Sequence, residues 1–198
     1  MVSEDREYQL EAKGFQLVGE FMSNWAALEA EIDEGLGRIS RMGPLVSLAL
    51  RTQLSFRDKV DLFQHLTSNY TQNDTEKEIV KSFLKSIRNL SSTRNTIVHS
   101  VFWMDDNSSI IFSKSKMNEG NLKFQELTIT ESEFDDIFDT ITQLIENVRS
   151  ATDSAVRRRD ETERESDFLV SFTLPVKEVN DAEKSGLGAL FQLLTKSE

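Results

Sequence analysis

Residues 75–104 read TEKEIVKSFLKSIRNLSSTRNTIVHSVFWM, and within this stretch the hydrophobic period changes. Ile79, Val80, Phe83, Leu84, Ile87 and Leu90 recur at three- and four-residue steps, which is the spacing of one buried helical face. Thr75-Glu76-Lys77-Glu78 has the form of a capping box and predicts the helix start. Ser91-Ser92 predicts a loosening before the helix resumes through Val98. Beyond His99 the β-branched and aromatic Val101-Phe102-Trp103 begins a strand-like segment. A long amphipathic helix running into short strands predicts a mainly α fold with a small β insertion.

Arg94 stands four residues after Leu90 and four before Val98, on the apolar face, where an exposed arginine is not expected. A buried or interfacial guanidinium calls for an anionic partner. Asn95 and His99 lie four apart, one turn from each other on a neighbouring face. The chain has two histidines, and an imidazole can give and take a proton near neutrality. A guanidinium fork suits phosphate. Arg94, Asn95 and His99 therefore form a candidate phosphodiester site. Lys77, Lys81, Lys85 and Arg88 follow at four-, four- and three-residue steps, so they share one stripe. They read either as a solvated face or as a basic strip leading to Arg94 and His99, with Lys81, Lys85 and Arg88 as substrate-binding candidates.

On the N-terminal side, residues 8–42 predict a helix carrying Val18, Phe21, Met22, Trp25, Leu28, Ile32, Leu36 and Ile39 inward, ended by Gly43-Pro44. Leu45–Leu50 is a short apolar segment compatible with a helix. Ser55-Phe56-Arg57-Asp58 is a second capping box, opening a helix to about Ser68 with Phe56, Val60, Phe63 and Leu66 inward. On the C-terminal side, residues 100–104, 109–116 and 121–128 predict short strands around the turns at 105–107 and 118–120. They read as a hairpin or meander outside the core. Thr130-Glu131-Ser132-Glu133 is a third capping box, before a long helix with Phe134, Ile137, Phe138, Ile141, Leu144, Ile145, Val148 and Ala155. The charged run 157–165 is the best linker candidate, or else an extension of the helix in solvent; it divides a helical domain, 1–156, from an appendage, 157–198. In that appendage Phe168, Val170, Phe172 and Leu174 alternate like a strand, and 187–194 is a short amphipathic piece.

The chain has 198 residues, 38% hydrophobic, no cysteine and a net charge of −11. Without cysteine there are no disulfides, thiolate metal sites or cysteine nucleophiles. Two distant histidines give no metal cluster, and His65, off the Phe56–Val60–Phe63 face, reads as a surface residue. The acidic balance argues against sequence-independent nucleic-acid binding through a broad basic surface. The first residues are charged, unlike a signal peptide, and no apolar run reaches the roughly 18 residues of a membrane span. The expectation is a soluble cytoplasmic protein without a cofactor.

A helical core with Arg94-Asn95-x-x-x-His99 late in a long helix, followed by an aromatic and a hairpin, resembles the HEPN superfamily, the higher eukaryote and prokaryote nucleotide-binding domains. Trp25-Ala26-Ala27-Leu28-Glu29 and Lys59-Val60-Asp61-Leu62 look like its flanking helices, and the resemblance covers about residues 15–150. It implies a bundle that usually dimerises. It also implies a metal-independent endoribonuclease of a toxin–antitoxin, CRISPR or phage-defence system, with an antitoxin or defence protein as a further partner. Other members are inactive binding modules. By resemblance Arg94 and His99 carry catalysis, Asn95 supports them, and Glu29 is a supporting acid. Ser100 stands where similar members often have glycine. Val101 stands where one subgroup has a tyrosine that a partner enzyme modifies.

RNA carries its own nucleophile in the 2′-OH, so a base, an acid and a cation at the phosphate suffice for cleavage. His99 can act as base or acid, and Arg94 can stabilise the charge that develops on phosphoryl oxygens. One histidine cannot do both proton transfers at once, whereas a homodimer brings two. The competing readings are a catalytically silent module that binds a partner protein or nucleotide, and a structural bundle in which Arg94 pairs with Glu29 or another buried acid.

Overall fold

The computed structural model describes residues 2–105, 107, 109–118 and 121–173. Among them the order is α1 (Val2–Ser40), α2 (Pro44–Gln53), α3 (Phe56–Tyr70), α4 (Asp74–Val98), β1 (Val101–Met104), β2 (Ser109–Asn118), β3 (Asn121–Thr130) and α5 (Glu131–Thr173). The protein is mainly helical with a small antiparallel sheet. It divides into two compact units, 1–156 and 157–198.

In the first unit the core is one continuous cluster. α1 contributes Leu17, Phe21, Trp25, Leu28, Ile32, Leu36 and Ile39. α3 contributes Val60 and Phe63, and α4 contributes Val80, Phe83, Leu84, Ile87, Leu90 and Ile97. α5 adds Phe134, Ile141, Leu144, Val148 and Ala155. These positions follow the helical period, and burying each large side chain stabilises the fold by roughly 1.5–3 kcal/mol before entropy is counted. α1 and α5 run parallel, tied at nearly constant sequence offset by Lys13–Glu131, by Glu31–Arg149 at 2.8 Å and by Arg38–Asp153 at 2.6 Å. The first and last pairs are about half-exposed and Arg149 is at the surface, where ion pairs add little to stability, so they set alignment more than stability. Gly35 of α1 faces Thr152 of α5 and Phe63 of α3. A Cβ there would stand 2.6 Å from Thr152 Oγ1 and 2.7 Å from the Phe63 ring.

The strands form a meander in the order β1-β2-β3, with Val101 opposite Ser113 and Met104 opposite Ile110 on one side of β2, and Ser109 opposite Thr130 on the other. The expectation that this sheet lies outside the core is wrong. Ile110, Phe112 and Ile129 are buried in the same cluster as the helices. Its inner face packs on α1 at Gly14, where an added Cβ would meet Met104 and Phe102 at 3.2 Å. Phe102 also meets Phe15 edge-on at 5.1 Å.

The helix starts divide. α5 begins at a reciprocal capping box. Glu133 Oε2 accepts from Thr130 N–H at 2.7 Å, and Thr130 Oγ1 accepts from Glu133 N–H at 3.2 Å. The Thr130 N–H first, and then the Thr130 hydroxyl, which donates to the same Oε2 at 2.9 Å, hold the Glu133 carboxyl below its usual range. At α3, Ser55 accepts from Asp58 N–H, while its hydroxyl donates to the Asp58 carboxylate. α4 does not start at Thr75. Asn73 caps it, its side chain accepting from Thr75 N–H at 2.8 Å, because an asparagine oxygen at that position reaches the first free donors. The helix then runs unbroken through Ser91-Ser92 to Val98.

In the C-terminal part the run 157–165 takes the second of its two readings, extending helix α5 in place of the preferred linker, and 168–173, expected as part of a strand, is corrected to helix as well. Extending an existing helix adds one bond per residue fixed. Arginine and glutamate are good helix formers, and the spacing of Arg159 and Glu163, 3.9 Å apart, supports the turn between them. Residue 174 and the piece at 187–194 lie outside the described residues.

Candidate functional site

α4 places the motif at its last turn. Val98 ends the helix and His99 is its C-cap, with φ −106° and ψ 14°, its N–H donating to the Asn95 carbonyl at 3.3 Å. The strand that follows begins at Val101. His99 and Asn95 are exposed and Arg94 is half-buried. Arg94 Nη1 donates to Asn95 Oδ1 at 3.2 Å. Its Nε is shut off from solvent and has no acceptor, and the same holds for the hydroxyl of Ser100. These are the two buried side-chain polar atoms without a partner among the described residues. They stand on either side of His99. A buried donor without an acceptor costs roughly 1–3 kcal/mol.

The anionic partner expected for Arg94 is not Glu29. Glu29 accepts from Lys59 Nζ at 3.0 Å, and Asp33 accepts from the same ammonium at 3.0 Å. Lys59 lies on the inward face of α3 between Phe56 and Phe63, with its side chain 5% exposed. Burial alone would lower its pKa. The hydrogen bonds to Asp33 and Glu29, with the charges of both, outweigh that and leave it above the ordinary lysine value. Glu29 therefore serves the joint between α1 and α3, away from the motif chemistry. Sequence reasoning missed Lys59, although its step of three from Phe56 and four to Phe63 marks it as clearly as the spacing that marked Arg94.

The basic stripe is only partly free to meet a substrate. Arg88 turns to α3, donating to Asp61 at 2.7 Å and Gln64 at 2.8 Å. Lys81 pairs with Glu78 at 3.3 Å and Lys77 with Asp74 at 3.4 Å, both at the surface. Lys85 is exposed. So the structure joins Arg94 to Asn95 and Asn95 to His99, leaves Lys81 and Lys85 on the surface, and commits Arg88 to packing.

Apolar side chains crowd the motif. Val98, Val101 and Trp103 are exposed beside His99. Elsewhere in the first unit, α4 and α5 leave a groove of about 410 Å³ between them, floored by Phe83 and Leu144 and walled by Ser82, Ser86, Thr140 and Asn147. His65 is exposed, and among the described residues no group of three His, Asp or Glu side chains is placed to hold a metal ion. Among them, too, no helix is long and apolar enough to cross a membrane. No family model matches the chain, and neither a curated protein nor a solved structure does.

Proposed function

We propose that this chain is a HEPN-type endoribonuclease of a toxin–antitoxin or phage-defence system, working as a homodimer without a metal. The observation that carries the reading is the state of Arg94. Its Nε is buried without an acceptor, one turn before an exposed histidine, and the side chain that holds its Nη1 is the motif asparagine. Nε is closed to solvent, so an RNA phosphate is met by the outer Nη end of the guanidinium, beside Asn95. His99 removes the proton from the 2′-OH and the oxygen attacks phosphorus. The bond to the 5′-oxygen breaks, and His99 of the second copy protonates that leaving group. The products are a 2′,3′-cyclic phosphate and a 5′-OH. Arg94 stabilises the charge on the phosphoryl oxygens.

The deciding assay is total RNA incubated in chelator with wild type and His99→Ala. The expected result is cleavage by wild type and a loss of about 10²–10⁴ in rate for the variant, with an unchanged thermal melt because His99 is exposed. Equal cleavage by both would sink the mechanism. A second reading, a silent module binding a nucleotide or a partner protein, is favoured by the groove between α4 and α5. It predicts no cleavage and a complex that His99→Ala leaves intact.

A further inference from the structure

α2 turns an apolar side to water. Ser47 packs so closely on α1 that a Cβ on Gly37 would stand 3.1 Å from its hydroxyl. From Ser47 the helical repeat carries Leu45 and Ala49 to the opposite side, flanked by Val46 and Leu48. All four are exposed, Leu45 at 82%, Leu48 at 58% and Val46 at 55%. The outer side of a surface helix ordinarily carries charge, yet residues 42–50 hold none. The charges stand at the ends and have one sign. From Gly35 to Arg57 the sequence holds Arg38, Arg41, Arg51 and Arg57 and no acid, in a chain of net charge −11. Arg38 is engaged by Asp153. Arg41, Arg51 and Arg57 are exposed, and Arg51 stands one turn from Leu48. The neighbouring acids are occupied. Asp33, which lines a small cavity with Arg51, is held by Lys59. Asp58 accepts from Ser55, and Glu34 acts on Arg149 of α5. Asp61, 3.9 Å from Arg57, is held more closely by Arg88 at 2.7 Å.

We propose that α2 is a peripheral contact for an anionic lipid surface. Leu45, Val46, Leu48 and Ala49 enter the boundary between headgroups and acyl chains, and Arg41, Arg51 and Arg57 meet the lipid phosphates around them. A short helix with an aliphatic side and a cationic border is the chemistry of a segment that lies in the membrane interface. The contact is shallow. α2 has 10 residues, so it is about 15 Å long, half the roughly 30 Å of a bilayer's hydrocarbon core. Size favours a lipid surface over a protein. A stable protein interface takes roughly 800 Å² and 20–30 residues from each partner, whereas this patch is four aliphatic side chains on one short helix. The overall acidity of the chain does not oppose the contact. At physiological salt, charges more than roughly 8 Å from the surface are largely screened, so the sign of the stretch around α2 decides. The inference is independent of the ribonuclease reading and uses none of its residues.

The test is sedimentation of the full chain with vesicles. One set is phosphatidylcholine containing a third of phosphatidylserine, and the other is phosphatidylcholine alone. The chain is expected to pellet with the first set and stay in solution with the second, and added salt should weaken the binding. Leu45→Gln together with Leu48→Gln is expected to lose tenfold or more in affinity, roughly the scale of withdrawing a leucine side chain from an apolar medium. Arg51→Gln and Arg57→Gln should each lose roughly fivefold, the contribution of one cation near an anionic leaflet. All these variants should keep the wild-type melt, because none of the side chains belongs to the core. No binding to either set would overturn the proposal. Equal binding to both would remove the anionic recognition and overturn it as well. Wild-type affinity in the double leucine variant would place the contact elsewhere on the chain. If vesicles are not bound and light scattering shows that the double leucine variant breaks an assembly the wild type forms, α2 is a protein contact and the proposal is wrong.

Discussion

Lys59 shows what a single side chain settles in this fold. Its ammonium is the one group joining two carboxylates of α1 to α3. Removing one partner of a buried ion pair leaves the other charge uncompensated, at roughly 3–5 kcal/mol. The Asp33 contact is the more enclosed of the two, so it dominates. Lys59→Ala should lower the free energy of unfolding in urea by about that amount. The pH dependence has a definite sign. Because the folded-state pKa is raised above 10.5, this contribution is complete below the ordinary lysine range and is lost as pH rises through the raised value. Wild type should therefore lose stability more steeply than Lys59→Met in strongly alkaline solution, and the two should run parallel at neutral pH. Gly35 is a second residue-scale test. Its Cβ would collide with the Thr152 hydroxyl and the Phe63 ring, so Gly35→Ala should cost about 1–3 kcal/mol by overpacking, despite the better helix propensity of alanine.

At the scale of elements, the long helices were readable because three- and four-residue spacing persists over many turns, as in Phe21, Trp25, Leu28, Ile32, Leu36 and Ile39. What failed was local. Thr75 has the pattern of a cap, yet Asn73 takes the role two residues earlier, since either side chain can accept a backbone N–H and sequence alone does not rank them. Asn73→Ala should destabilise by about 0.5–2 kcal/mol, and Thr75→Ala by much less, measured by thermal melts of the two variants. The alternation of Phe168, Val170 and Phe172 suggested a strand, but period two over so few residues gives way to a helix already under way. The sheet was found, and its burial was missed. Its polar Ser and Lys positions dilute the signal of Ile110, Phe112 and Ile129, which only long-range packing reveals. In the candidate site Arg94, Asn95 and His99 were legible from spacing. The pairing of Glu29 with Lys59 was not, because it joins residues thirty apart in the sequence.

At the scale of the molecule, the described hydrophobic core ends at Ala155 with Val156 packed against it. A chain cut after Val156 should keep a cooperative thermal transition close to that of the full chain. A non-cooperative melt would place part of the core beyond it. On the proposed mechanism, one histidine per motif calls for two chains in each site. Light scattering of the purified chain should give twice the chain mass of 22.6 kDa, and a monomer that still cleaves RNA would rule out the composite site.

α2 has a further consequence. Arg41, just before it, adopts φ 51°, Leu45, Val46 and Leu48 face water, and no described residue of the helix belongs to the core. A segment held by so little opens locally at small free energy. Limited trypsin digestion should therefore nick the chain first after Arg41 and Arg51. The fragments on either side share a core in which α1 packs against α3, α5 and β1, and they should remain together through a sizing column. The bond between Gln53 and Leu54 or its neighbours then becomes a natural seam at which the protein can be split, expressed as two pieces and reassembled.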